Sequence, residues 1–227
     1  MASCFPDMSL KQFQEFNKQV YFSHNDKLFG SGEMIDNVQR FAMRGLKGIR
    51  KNDPEKAKKN FMISFSWCMS IINRLQINIE DELWARFPYV CSYCNSSPCA
   101  CKAIKPDERL KVSIDESKRP KSMHDFQKMF EKIYPSSERT LEHAGIHFAE
   151  ELGEFSEAFW VFGASKSDSD LNLLALEAAD FFSCLFGVFN SLKLDLAEEL
   201  SKRFYDNCHE CHKAPCACTY EHIKTYK

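Results

Sequence analysis

Glycine and proline, the residues that most often break regular backbone, are scarce here, with eight of each in 227 residues. Helices can therefore run long, because neither glycine's entropy cost nor proline's missing N–H recurs often. Apolar–polar alternation of the strand kind is hard to find anywhere, which leaves no signal for half-buried strands. An uninterrupted, charge-free apolar run of about 18 residues is missing, so no membrane span is expected. No basic segment followed by an apolar one opens the sequence, so no secretory leader is expected and the protein reads as cytoplasmic. An excess of one charge sign is missing too. Thirty Lys and Arg against 32 Asp and Glu leave a net charge of −2, which argues against bulk electrostatic capture of nucleic acid. The class expected from these absences is all-α.

What is plentiful is phenylalanine, 20 residues, and cysteine, 11. The phenylalanines suit aromatic-rich packing between helices. Eight of the cysteines fall in two clusters, Cys91, Cys94, Cys99, Cys101 and Cys208, Cys211, Cys216, Cys218. Both read CxxC-x4-CxC and share the tetrapeptide PCAC. Four thiolates in so short a loop can surround one tetrahedral Zn²⁺, and four Cys ligands leave no open position, so the site is read as structural. Paired disulfides are the rival reading. They would be strained at CxxC and CxC spacing and lack an oxidising compartment. An iron–sulfur cluster is the remaining alternative. Cys4, Cys68 and Cys184 read as ordinary small residues.

The clusters lie 117 positions apart, and likeness continues upstream at the same spacing: Phe65-Ser66 with Phe182-Ser183, Asn73 with Asn190, Glu82-Leu83 with Glu199-Leu200, Arg86-Phe87 with Arg203-Phe204. Nearer the start, Phe13-Gln14 and Tyr21 match Phe126-Gln127 and Tyr134 at a spacing of 113, so the second copy carries about four extra residues in between. This is an internal duplication. Residues 1–101 form the first copy and 122–227 the second. Residues 102–121, of which eleven are charged, read as an exposed, flexible linker.

The second copy holds the stretch with the clearest chemistry. Glu150, Glu151 and Glu154 share one edge of a helical segment whose other side carries Phe148, Leu152, Phe155 and Phe159. Glu177 and Asp180 lie three apart in a segment apolar nearly all round, hence expected to be buried. Unpaired acids there would be costly, and a hard divalent cation with oxygen ligands is the counter-charge this pattern calls for. An EExxE run alone is usually a solvated helix face. The ExxD inside an apolar helix is what shifts the reading toward a metal site.

EELGE followed by EAAD resembles the EExxE…ExxD signature of the MazG-like, all-α nucleoside triphosphate pyrophosphatases, over about residues 126–204. The resemblance implies two MazG-like helical bundles in a pseudo-twofold arrangement, each ending in a Cys4 zinc knuckle. It also implies Mg²⁺- or Mn²⁺-dependent hydrolysis of a (deoxy)nucleoside triphosphate to monophosphate and pyrophosphate. Glu150, Glu151, Glu154, Glu177 and Asp180 are then the metal ligands, with Glu151 also eligible as general base. Such proteins build their sites between packed subunits, so either a homo-oligomer or a pseudo-dimer within one chain is implied.

The first copy has lost the acids: Asn60 and Ile63 stand where the second has Glu177 and Asp180, and around the place of EELGE at most Glu33 or Asp36 could stand in, depending on where the gap falls. It is basic instead, and Arg40, Arg44 and Lys47 are candidates for the triphosphate tail. Trp67 and Trp160 are candidates for a base pocket, although an aromatic on a helix is more often core. His143 and His147 precede the acids and read as capping or supporting residues rather than Mg²⁺ ligands. The alternative function is a non-catalytic binding protein whose zinc knuckles contact protein or nucleic acid. The knuckles' poverty in basic residues weakens the nucleic-acid version.

Overall fold

Short polar residues start nearly every helix, as their ability to accept a backbone N–H dictates. In the computed structural model, residues 3–103 and 106–226 are described. Met1, Ala2, Ile104, Lys105 and Lys227 lie outside them, and with them two positions of the expected linker. Ser9 and Gln12 form a capping box at α1 (Leu10–Leu28), and Glu33 returns to the Gly30 N–H at α2 (Ser31–Arg50). Asp53 caps α3 (Pro54–Leu75), whose first residue is a proline that needs no intrahelical N–H. Asn78, Ser122, Thr140, Ser167, Asp195 and Thr219 cap α4 (Ile79–Arg86), α5 (Met123–Ile133), α6 (Leu141–Ser165), α7 (Asp168–Leu192), α8 (Leu196–Arg203) and α9 (Tyr220–Thr225). Among the described residues there are nine α-helices, two 3₁₀ turns and no strand, as the scarcity of breakers suggests.

Helices α3 and α7 lie at the centre of a single continuous core. Phe65 on α3 meets its register counterpart Phe182 on α7 edge to face, with ring centroids 5.0 Å apart, and Phe61 meets Phe148 on α6 at 5.2 Å. Thirteen phenylalanines are fully buried. At about 1.5–3 kcal/mol each their burial outweighs exposed ion pairs worth ~0–1 kcal/mol, so ring packing governs the fold. Helix α7 is long and apolar enough to cross a membrane by length and composition, despite Glu177 and Asp180. However, 67% of its most apolar window is buried inside the molecule. Two glycines let α2 approach α3 closely, since a Cβ at Gly45 would meet the Phe61 ring at 2.6 Å and one at Gly48 the Ala57 backbone at 2.5 Å.

Hydrogen bonds recur at the spacings of the sequence repeat. Gln14 Nε2 donates to Ile77 O at 2.7 Å and Gln127 Nε2 to Leu194 O at 2.7 Å; Asn73 donates to Gln14 O and Asn190 to Gln127 O. The two halves also exchange parts. Helix α4 packs on α7 and α8 on α3. The cysteine loop after α4 hydrogen-bonds α5 (Cys99 N to Ile133 O, 2.8 Å), and the loop after α8 hydrogen-bonds α1 (Cys216 N to Val20 O, 2.7 Å).

The linker is exposed over most of its length, yet it is tethered. Arg109 donates to Ser92, the Leu110 N–H to Tyr93 O, Trp84 to Glu116, and Arg119 pairs with Asp81 and Glu80. Several of its charges are thus engaged, with the first half and, through Lys102 and Arg109, with the second, which composition alone did not reveal.

Candidate metal centres

Helix α6 turns Glu151 toward α7. The residue lies three positions after Phe148 and four before Phe155, both fully buried, so it shares their side of the helix. Glu150 and Glu154 fall on the exposed side. Helix α7 contributes Glu177 and the buried Asp180. One oxygen from each of Glu151, Glu177 and Asp180 lies within 4.8 Å of the others. Three of the five expected acids therefore converge. Glu154 stands at the edge, close enough for the charges of Glu151 and Asp180 to act on it, and Glu150 lies outside the tight group.

Burial, followed by repulsion from Asp180, raises the Glu177 carboxyl above the usual range, and burial raises Asp180 against the pull of Arg86. Arg86 is the residue the sequence reading missed. It comes from α4 in the other half and donates Nε and a terminal nitrogen to the two oxygens of Asp180, with both side chains almost fully enclosed. Its sequence signal was slight, the Arg86-Phe87 pair repeated as Arg203-Phe204. Arg109 of the linker adds a second cation, 3.7 Å from Asp180, its guanidinium held over the Tyr93 ring. Even with these partners, Glu151 Oε2 and Glu177 Oε2 are shut off from solvent with no hydrogen-bond partner. A buried acceptor left unpaired costs about 1–3 kcal/mol, more when charged. An all-oxygen set with orphaned carboxylate oxygens fits a hard divalent ion such as Mg²⁺ or Mn²⁺.

No protein-family model, curated protein or solved structure matches the chain. The chemistry must therefore be read from its own geometry.

The two cysteine clusters are assembled as four-sulfur groups. Sγ–Sγ separations are 3.4, 3.7 and 3.9 Å in the first and 3.4, 3.8 and 3.9 Å in the second. Sulfurs at the corners of a tetrahedron around zinc, each about 2.3 Å from the ion, would lie about 3.8 Å apart. All eight cysteines are free of disulfides, which sets the paired-bridge alternative aside. Backbone N–H groups of Tyr93, Ala100 and Cys101 point at sulfurs of the first cluster, and those of Ala217 and Cys218 at the second. Tyr134 reaches Cys91 and Tyr21 reaches Cys208, each across to the other half. These donors suit charged thiolates.

The proposed nucleotide contacts have other partners. Arg40 donates to the carbonyls of Lys224 and Ile223, and Arg44 to that of Tyr226, so both guanidiniums hold the C-terminal segment. Lys47 is exposed on α2. Trp67 is buried against Phe29, with centroids 5.2 Å apart, and lines a small cavity with Tyr21, Phe41 and Tyr226. Trp160 is 55% exposed and rests against Gly32. The structure does not gather these five around the acids. His143 lies in the first turn of α6, its N–H taken by Thr140, whereas His147 contacts Glu151 at 3.2 Å.

Matching burial narrows the register of α2 on α6 to two settings. Val38 and Phe41 are buried like Leu152 and Phe155 at a spacing of 114, and Ile35 and Val38 are buried like the same pair at 117, so Asn37 or Met34 stands opposite Glu151. The converging trio Glu151, Glu177 and Asp180 is then Asn37 or Met34, Asn60 and Ile63 in the first half, which in either setting keeps no ionisable ligand at these positions.

Proposed function

We propose that this chain is a Mg²⁺- or Mn²⁺-dependent hydrolase that cleaves a (deoxy)nucleoside triphosphate to nucleoside monophosphate and pyrophosphate. In this reading two MazG-like bundles are fused into a pseudo-dimer. The observation that carries it is the trio Glu151, Glu177 and Asp180, with two buried oxygens lacking any partner. The repeated hydrogen bonds, the Phe65–Phe182 contact and the exchange of α4 and α8 support a pseudo-twofold relation between the halves.

A divalent ion in such a site neutralises phosphate charge and acidifies a bound water. Glu177 and Asp180 then serve as fixed oxygen donors on the rigid core helix, and Glu151 either completes the set or accepts the proton of the attacking water. Arg86 holds Asp180 in place. Arg109, 39% exposed at its side chain, carries a guanidinium suited to a phosphate oxygen. The acid-poor half contributes Arg86 and a packing surface rather than ligands. The zinc knuckles act structurally, as their hydrogen bonds to α1 and α5 suggest.

The test is a panel of common nucleoside triphosphates incubated with Mg²⁺ and resolved by product. Monophosphate with pyrophosphate is expected from at least one. Diphosphate with phosphate, or no turnover on any of them, would refute the reading.

A further inference from the structure

Glu151 has a second set of neighbours. Its Oε1 lies 3.2 Å from His147 Nε2, one turn earlier on α6. On the other side of the imidazole, Nδ1 lies 3.6 Å from Cys184 Sγ on α7. One ligand atom from each of His147, Glu151 and Cys184 falls within 4.8 Å of the others, as in the acid trio. The two groups share Glu151 and are built by the same device. Helix α7 offers Asp180 to one and, a turn later, Cys184 to the other. Helix α6 offers Glu151 to both and His147 to one.

We propose that His147, Glu151 and Cys184 form a distinct metal site for a borderline divalent transition ion of the Zn²⁺ or Co²⁺ kind, adjoining the hard-cation site through Glu151. The donor set decides the ion. Nitrogen, oxygen and thiolate sulfur together suit late first-row metals, whereas Mg²⁺ and Ca²⁺ prefer oxygen alone. Three protein ligands leave a coordination position open to water, unlike the closed Cys4 knuckles. Glu151 can serve two ions because it has two oxygens, of which Oε2 is buried without a partner. Access is available, since the His147 side chain is 49% exposed. In the first half the position matching Cys184 is Trp67, so this donor set is not repeated there.

The experiment titrates Co²⁺ into the full chain carrying two zinc ions, the complement of the two Cys4 knuckles with none left for this site, and reads thiolate-to-cobalt absorption. The unmodified chain should develop the band and saturate at about one equivalent, as a single three-ligand site requires. Cys184→Ser should abolish it while keeping the knuckle zinc, and His147→Gln should weaken cobalt binding by about tenfold or more. Excess Mg²⁺ should leave the band in place. Absence of a band, or the same band in Cys184→Ser, would overturn the proposal, the latter because cobalt would then be entering the Cys4 clusters. Turnover is not read, so this result is separable from the fate of the hydrolase reading.

Discussion

Replacing Arg86 by Leu removes the counter-charge that sits deepest beside the acid cluster among the described residues. Asp180 would keep its buried place with its bidentate donor gone. Breaking such a pair by deleting one partner costs about 3–5 kcal/mol. Repulsion inside the cluster points the same way. Two ionised carboxylates no more than 4.8 Å apart repel by at least about 3 kcal/mol at an effective dielectric constant of about 20, and Arg86 offsets part of that. For a chain of this size each kcal/mol moves the midpoint by about 2–4 °C, so the metal-free variant should melt roughly 6–20 °C lower. Added Mg²⁺ should recover much of the loss, because an ion bound only to the folded state supplies the missing positive charge. The double variant Arg86→Leu/Asp180→Ile should recover it without metal, since exchanging a buried pair for apolar groups is often neutral, and Ile63 already occupies the matching place in the first half. Thermal melts of the three proteins with and without Mg²⁺ decide the matter. A loss below about 1 kcal/mol, the size of an exposed pair, would show that Arg86 and Asp180 are not a buried unit. A full-sized loss that Mg²⁺ leaves untouched would show that the cluster takes no cation.

Cys91→Ser/Cys94→Ser and Cys208→Ser/Cys211→Ser should each remove one zinc per chain by elemental analysis, and each should lower the melting temperature, because structural zinc contributes folding free energy; unchanged zinc would refute the knuckle assignment. Gly48→Ala should destabilise by about 1–3 kcal/mol, since its Cβ would press on the Ala57 backbone. Gly153→Ala, whose Cβ meets nothing within 4 Å, should stabilise by about 0.5–1 kcal/mol, the helix-propensity difference; denaturant melts of equal sign for the two would contradict the α2–α3 packing. Residues 122–227 produced alone should be unfolded or associated in sedimentation and circular dichroism, because Phe148 and Phe182 would lose Phe61 and Phe65; a stable monomer would contradict a shared core.

Much of this architecture was legible because it is local or repeated. Few breakers and dense phenylalanine announce long packed helices, and matching cysteine spacings announce a duplication. Glu177 and Asp180 stood out because an acid in an apolar helix needs a partner nearby. Choosing among Glu150, Glu151 and Glu154 required the rotation of α6, which depends on which of its phenylalanines face α7. Arg86 was hidden for a different reason: its partner Asp180 is 94 residues away, and no periodicity spans that distance. In the basic stretch, charge was counted without its partners. Arg40 and Arg44 serve the carbonyls of the C-terminal segment, a contact made across more than 180 residues.

The most direct test of the central claim is Glu177→Gln, which keeps the shape of the core helix and removes one ligand charge. Pyrophosphate release and thermal melts should be measured side by side, with and without Mg²⁺. Turnover is expected to fall by orders of magnitude, since metal-held charge contributes several kcal/mol to such a barrier. Without metal the variant should be as stable as the parent or more so, because burial and repulsion already disfavour the charged form of Glu177. With Mg²⁺ only the parent should gain strongly in melting temperature. Unchanged turnover, with melts that ignore Mg²⁺ in both proteins, would contradict the account and leave the acids as an ion-paired part of the helix packing.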